Sequence, residues 1–174
     1  MNKNNLYYKR GMYIIDKSLN IFKNDDTFYE KRNELINIDT RVGDIDIDSI
    51  LIGKVKIKSD VGDIDIKEVN DLEIDANVGD IEIDKVKSAN IDIDVGDLEI
   101  DTISEYMDIS LNCGDLEIDK VNLIKDSKIE LDLGDVEINN ISNIYIDAKT
   151  DLGDVKINNN YKNADITLKI ENDT

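Results

Sequence analysis

The sequence predicts an all-β chain wound as a single-stranded β-solenoid. Three observations carry that prediction. A hexapeptide built on Gly-Asp recurs seven times, apolar and polar residues alternate on either side of it, and the alternation changes phase twice in each repeat.

The hexapeptides are VGDIDI at 42 and 61, VGDIEI at 78, VGDLEI at 95, CGDLEI at 113, LGDVEI at 133 and LGDVKI at 152. Their glycines are Gly43, Gly62, Gly79, Gly96, Gly114, Gly134 and Gly153, spaced 19, 17, 17, 18, 20 and 19 residues apart. Before the Gly, runs such as Val55, Ile57, Ser59, Val61 and Leu72, Ile74, Ala76, Val78 have the period of two that gives a strand one buried face. After it the period resumes, as Ile64 and Ile66 or Ile81 and Ile83. Val61 and Ile64 are both apolar yet three apart, so the expectation is that both point inward and the chain bends at Gly62-Asp63. Gly permits a positive φ there, and Asp accepts local backbone N–H groups as in an Asx-turn. A second phase break, between Ile66 and Val69, Ile83 and Val86, or Ile100 and Ile103, marks a second corner followed by a loop of variable length. The longer loops fall at Lys54 and at Asn122 to Ser127.

Coils of 17–20 residues with inward aliphatic columns stack like on like, and no coil is stable alone. At ~4.8 Å per strand, about seven rungs make a rod of roughly 34 Å. Right-handed coiling is the default for parallel crossovers. An antiparallel meander would explain the alternation but not the recurring corner.

The chain divides into a non-repeating segment, 1–35, and a repeat domain, 36–174. The first segment holds four of the seven Tyr, both Phe, seven bases and five acids, and is expected to cap the first rung. Lys9, Arg10 and Lys17 leave a juxtamembrane or partner-docking role as the rival. Ile166, Leu168 and Ile170 alternate like a closing strand.

Composition removes several chemistries. The 174 residues include 40 acids, 21 bases, 30 Ile, one Cys and no His, Pro or Trp, for a net charge of −19. Without His there is no Ser-His-Asp or Cys-His catalysis, and a lone Cys gives neither a Cys/His zinc site nor an internal disulfide. Phosphate neutralisation on nucleic acid does not fit this charge. No run approaches the roughly 18–20 apolar residues of a membrane span, and no apolar signal segment follows Met1. The expected location is cytoplasmic, or the cell envelope or surface if the native N-terminus is longer.

The outward positions form acidic columns. The corner column is Asp44, Asp63, Asp80, Asp97, Asp115, Asp135 and Asp154; the next is Asp46, Asp65, Glu82, Glu99, Glu117, Glu137 and Lys156; the third is Asp48, Lys67, Asp84, Asp101, Asp119, Asn139 and Asn158. Corner aspartates accepting backbone N–H groups, with the outer acids solvated, is the simpler reading. Weak divalent-cation binding between rungs is the sharper one, with Asp80, Asp97 and Asp115 as first ligands. The spacing is that of neither an EF-hand nor a calcium β-roll. Cys113, where other units have Val or Leu, reads as a core thiol. No carboxylate pair stands out from the rest, so no catalytic, cofactor-binding or metal residue is assigned.

The tandem V-G-D-[IL]-[DE]-I units, over about residues 36–170, resemble the bacterial adhesin-like family of toast-rack domains, a domain of unknown function. The resemblance implies a β-solenoid, often in envelope-associated proteins, and supplies no catalytic residues. The expected role is a non-enzymatic structural or interaction scaffold, adhesin-like, with an unknown protein or surface partner and no cofactor. A carbohydrate-active β-helix enzyme and a self-assembling, bactofilin-like polymer are the alternatives. An enzyme would need a cleft that breaks the ladders, and the chain has only three Arg, two of them (Arg10 and Arg32) outside the repeats.

Overall fold

A computed structural model describes residues 7–9, 12–15, 35–48, 50–158 and 166–172. These residues form strands and no helix. In chain order the strands are β1 (Tyr7–Lys9), β2 (Met12–Ile15), β3 (Leu35–Thr40), β4 (Ile45–Ile47), β5 (Ile50–Val61), β6 (Ile64–Val78), β7 (Ile81–Val95), β8 (Leu98–Cys113), β9 (Leu116–Asn122), β10 (Ser127–Leu133), β11 (Val136–Asn139), β12 (Ile141–Leu152), β13 (Val155–Asn158) and β14 (Ile166–Asn172). Among the described residues, no helix is long and apolar enough to cross a membrane.

The pairing is parallel from β2 to β14, which removes the antiparallel meander. Only the short β1–β2 hairpin is antiparallel among the described strands. Identical repeat positions are direct neighbours: Ile64 pairs with Ile81, Ile81 with Leu98, and Leu98 with Leu116. Seven Gly-Asp corners thus enclose about six coils of a β-solenoid.

Each coil has a short arm after the corner and a long arm before the next. In β6 the inward side chains are Ile64 and Ile66 on the short arm, Val69 at a bend, and Leu72, Ile74 and Ala76 on the long arm. Two three-residue steps, 66 to 69 and 69 to 72, turn the strand without breaking it. The second corner expected from sequence is therefore present, but in the 17-residue coils it is a bend inside one continuous strand, not a loop. A parallel ladder can follow such a bend because neighbouring coils bend at the same place.

Extra residues are absorbed where the expected length variation falls. A register shift separates Ile50 from Lys54, another lies between Val86 and Ser88 opposite β8, and β9 and β10 flank a short connection at 123–126. That connection is tied down by Ile124 and Lys125 N–H groups donating to the Glu105 carbonyl.

The core is one aliphatic stack from Ile38 to Ala148. Its volumes compensate within coils. Leu72 and Ala76 in β6 sit against Ala89 and Ile93 in β7, so a large and a small residue exchange places while the total is kept. The end coils carry hydroxyls in that column instead: Thr40, Ser59 and Thr150 are buried, and their side-chain oxygens have no hydrogen-bond partner among the described residues. Such groups cost stability relative to apolar residues of similar shape.

The first 35 residues contribute β2 to the short-arm ladder, with Tyr13, Ile14 and Ile15 opposite Ile45, Asp46 and Ile47. Most of the segment expected to be a cap, residues 1–6, 10–11 and 16–34, lies outside the described residues. The closing strand expected at the other end is β14, parallel to β12.

Candidate functional site

The repeated corner is the chemical signature of the molecule. Its glycines have φ between 140° and 154°. That region is open to glycine and strained for L-residues. A second constraint is steric: a Cβ on Gly96 would stand 2.1 Å from the Gly79 carbonyl oxygen, and one on Gly114 2.0 Å from that of Gly96. The corners stack so closely that only hydrogen fits between successive backbones.

Hydrogen bonding runs through the corner without interruption. Gly79 N–H donates to the Val95 carbonyl at 3.0 Å and Ile81 N–H to the Asp97 carbonyl at 2.9 Å. The intervening Asp N–H is met by a side chain from the coil before. Asp80 N–H donates to Asp63 Oδ1 at 3.0 Å, Asp97 N–H to Asp80 Oδ1 at 2.9 Å, and Asp115 N–H to Asp97 Oδ1 at 2.8 Å. The same bond recurs at Asp63, Asp135 and Asp154. The aspartates therefore accept backbone N–H groups, but from the next coil and not from their own turn as the Asx-turn reading expects. The extended corner holds each carboxylate beneath the N–H one rung on.

This use bears on the cation reading. Asp80, Asp97 and Asp115 each commit one carboxylate oxygen to the neighbouring backbone. Among the described residues, no group of three or more His, Cys, Asp or Glu is arranged to hold a metal ion.

The residue before each Gly overturns an expectation. Val42, Val61, Val78, Val95, Leu133 and Leu152 are between 44 % and 65 % exposed, and Cys113 in the same column is exposed too. Neither Val61 nor Cys113 is a core residue. The reason is where the turn begins. The last inward residue before the corner is Ser59, the next is Ile64, and Asp60 to Asp63 pass around the outside. Hydrophobicity alone could not show this. An apolar residue three before another apolar residue satisfies either an inward or an outward reading, and only the five-residue gap from 59 to 64 distinguishes them.

The two outer faces differ in charge logic. On the long arm, opposite signs meet: Lys54 and Lys56 both grip Glu73, Lys58 reaches Asp75 at 3.3 Å, and Lys128 reaches Glu130 at 2.6 Å. Glu73 is held below its usual range by hydrogen bonds from Lys54 and Lys56. Within the two acid columns of the short arm, bases stand only near the ends. Lys67 pairs with Asp48 at 2.8 Å and Lys156 with Glu137 at 2.7 Å. Between them Glu82, Glu99 and Glu117 stack directly. Burial, then the charges of Glu82, Glu117, Asp101 and Asp119, push the Glu99 carboxyl above its ordinary value. The expected acidic ladder is thus present, offset at its ends and uncompensated at its centre.

A parallel solenoid with a stacked Gly-Asp corner defines a repeat-built domain. The match to family models makes this specific: residues 67–173 match the Toastrack DUF4097 model, a domain of unknown function, and the chain belongs to that family. The matched region starts within β6, so the corners at Gly43 and Gly62 precede it. Comparison with curated proteins and with solved structures gives no match.

Proposed function

We propose that the chain is a non-enzymatic structural scaffold, a stiff acidic rod that presents patterned faces to a protein or surface partner. One observation supports this above the others. The outward columns continue from coil to coil in register, with side chains parallel to one another and not converging on a point. Catalysis needs groups of different kind directed at one place, whereas a repeating surface suits extended contact. An adhesin-like role at the cell envelope is the finer form of the proposal, supported by the family resemblance alone. Cations would then meet the short-arm face as a diffuse atmosphere, so melting curves in NaCl and CaCl₂ at matched ionic strength should coincide.

The test pairs two measurements on the full chain. Reducing-end release from a panel of neutral and acidic polysaccharides should be nil, and a photocrosslinking residue at position 99 should capture a defined protein in extracts of the native host. Saturable polysaccharide turnover, lost on replacing a single carboxylate, would overturn the scaffold reading.

A further inference from the structure

Among the described residues, every outward column but one is dominated by polar residues. The exception is the column before the glycine, where Val61, Val78, Val95, Cys113, Leu133 and Leu152 lie side by side in direct register. These side chains are about half exposed. A solvated turn on a highly acidic chain has no need of branched aliphatics, and scattered apolar residues would be unremarkable where a continuous row is not. The row is flanked on both sides by acids: the corner aspartates on one, and Asp60, Asp94, Asp132 and Asp151 on the other. Asn77 and Asn112 fill the alternate places and are bonded to Asp60 and Asp94.

We propose that this row is a docking surface for a cationic amphipathic helix of a partner protein, lying along the rod axis. The inference rests on the scaffold reading and names the chemistry of its partner. Geometry favours a helix. Rungs repeat every ~4.8 Å, and an α-helix returns to one face about every 5.4 Å. An extended strand returns only every ~6.8 Å and falls out of step within two rungs. Charge favours a basic partner, because Lys or Arg beside the apolar stripe of the helix would face carboxylates on both sides of the row. The same charge argues against the other occupants. A second copy placed row to row would bring its own acid columns against these, and an anionic bilayer would be repelled by a chain of net charge −19.

The experiment uses the full chain and a fluorescein-labelled Lys/Leu peptide of about 20 residues with Leu on one helical face. Its control is a peptide of equal composition with the Leu pattern scrambled. Fluorescence anisotropy at about 0.15 M salt keeps non-specific charge attraction screened. The patterned peptide should bind about tenfold tighter than the scrambled one or better. A triple variant, Val78→Thr, Val95→Thr and Leu133→Thr, should erase that preference while melting cooperatively. The variant Glu82→Gln, Glu99→Gln, Glu117→Gln, on the other arm, should weaken both peptides alike and keep the preference. Equal binding of the two peptides, or a preference that survives the triple Thr variant, would overturn the proposal. So would a concentration-dependent dimer of the wild type that the Thr variant abolishes, since the occupant would then be a second copy. Failure here with a partner still crosslinked at position 99 leaves the scaffold reading standing, and polysaccharide turnover removes that reading whatever the peptides do.

Discussion

At the scale of single residues, the corner glycine carries the sharpest consequence. Gly96 has φ of 148° and no room for a Cβ above the Gly79 carbonyl. Strain and clash act together, so Gly96→Ala should cost about 2–4 kcal/mol, measured by urea melting. A cost near zero would show that the corner relaxes freely. Cys113 gives the opposite kind of expectation. Because it sits on the outside of the turn, its thiol should react with a disulfide reagent in the native state at a rate close to that in denaturant, and Cys113→Ser should shift the melting temperature little. Slow, unfolding-limited labelling would restore the core assignment. The glycine was legible in sequence because seven copies at fixed phase leave little else for it to do. The cysteine was not, because an apolar residue ahead of a turn fits the inside and the outside equally well until the turn's length is known.

At the scale of one coil, the repeat is a unit that can be removed. Deleting residues 80–96 joins Gly79 to Asp97 and recreates a corner, with β6 now beside β8. Nearest-neighbour stacking predicts a folded chain melting lower by about 2–8 °C, whereas deleting residues 80–88 alone should abolish the cooperative transition. Calorimetry of the two deletions decides it; equal behaviour would mean the coil is not the unit. The two arms were readable from period-two alternation. The continuous bend at Val69 was not, because a three-residue step between buried positions is the same in sequence whether a loop or a curved strand makes it. The charge pairing on the long arm, Lys56 with Glu73 and Lys58 with Asp75, was also hidden. It depends on which coil positions meet, and the 17-residue offset becomes meaningful only once the stacking register is fixed.

At the scale of the whole molecule, the uncompensated centre of the short-arm face sets a pH dependence. Glu99 has a folded pKa above its ordinary value, from burial and then from neighbouring acids. The unfolded chain therefore ionises it more readily than the folded one. Stability from this group is greatest below the unfolded pKa and falls as pH rises through the folded one. Glu99→Gln should accordingly raise the melting temperature at pH 7 and make no difference near pH 3, where the wild-type carboxyl is protonated in both states. An effect that is constant with pH, or that appears only in acid, would refute the raised Glu99 carboxyl. The acidic columns themselves were plain in the sequence. Which members lacked a compensating base was not, since Lys67 and Lys156 had first to be placed against Asp48 and Glu137.

The bonds stacked along the corner, which donate forward from Gly and Ile N–H groups and backward from Asp N–H groups, also have a mechanical meaning. Both the backbone ladder and the Asp-to-Asp bonds point along the rod axis, so a pull on its two ends loads the interfaces between coils in series. The weakest joint is then a terminal one, and the rod should come apart like unwinding thread, one turn at a time. Each 17-residue turn between Gly62 and Gly96 would release roughly 60 Å of slack as it peels away. A domain of this build would give way in small even steps under tension and lengthen severalfold before it was spent. A molecule strung between two surfaces would in that way act as a stepwise shock absorber.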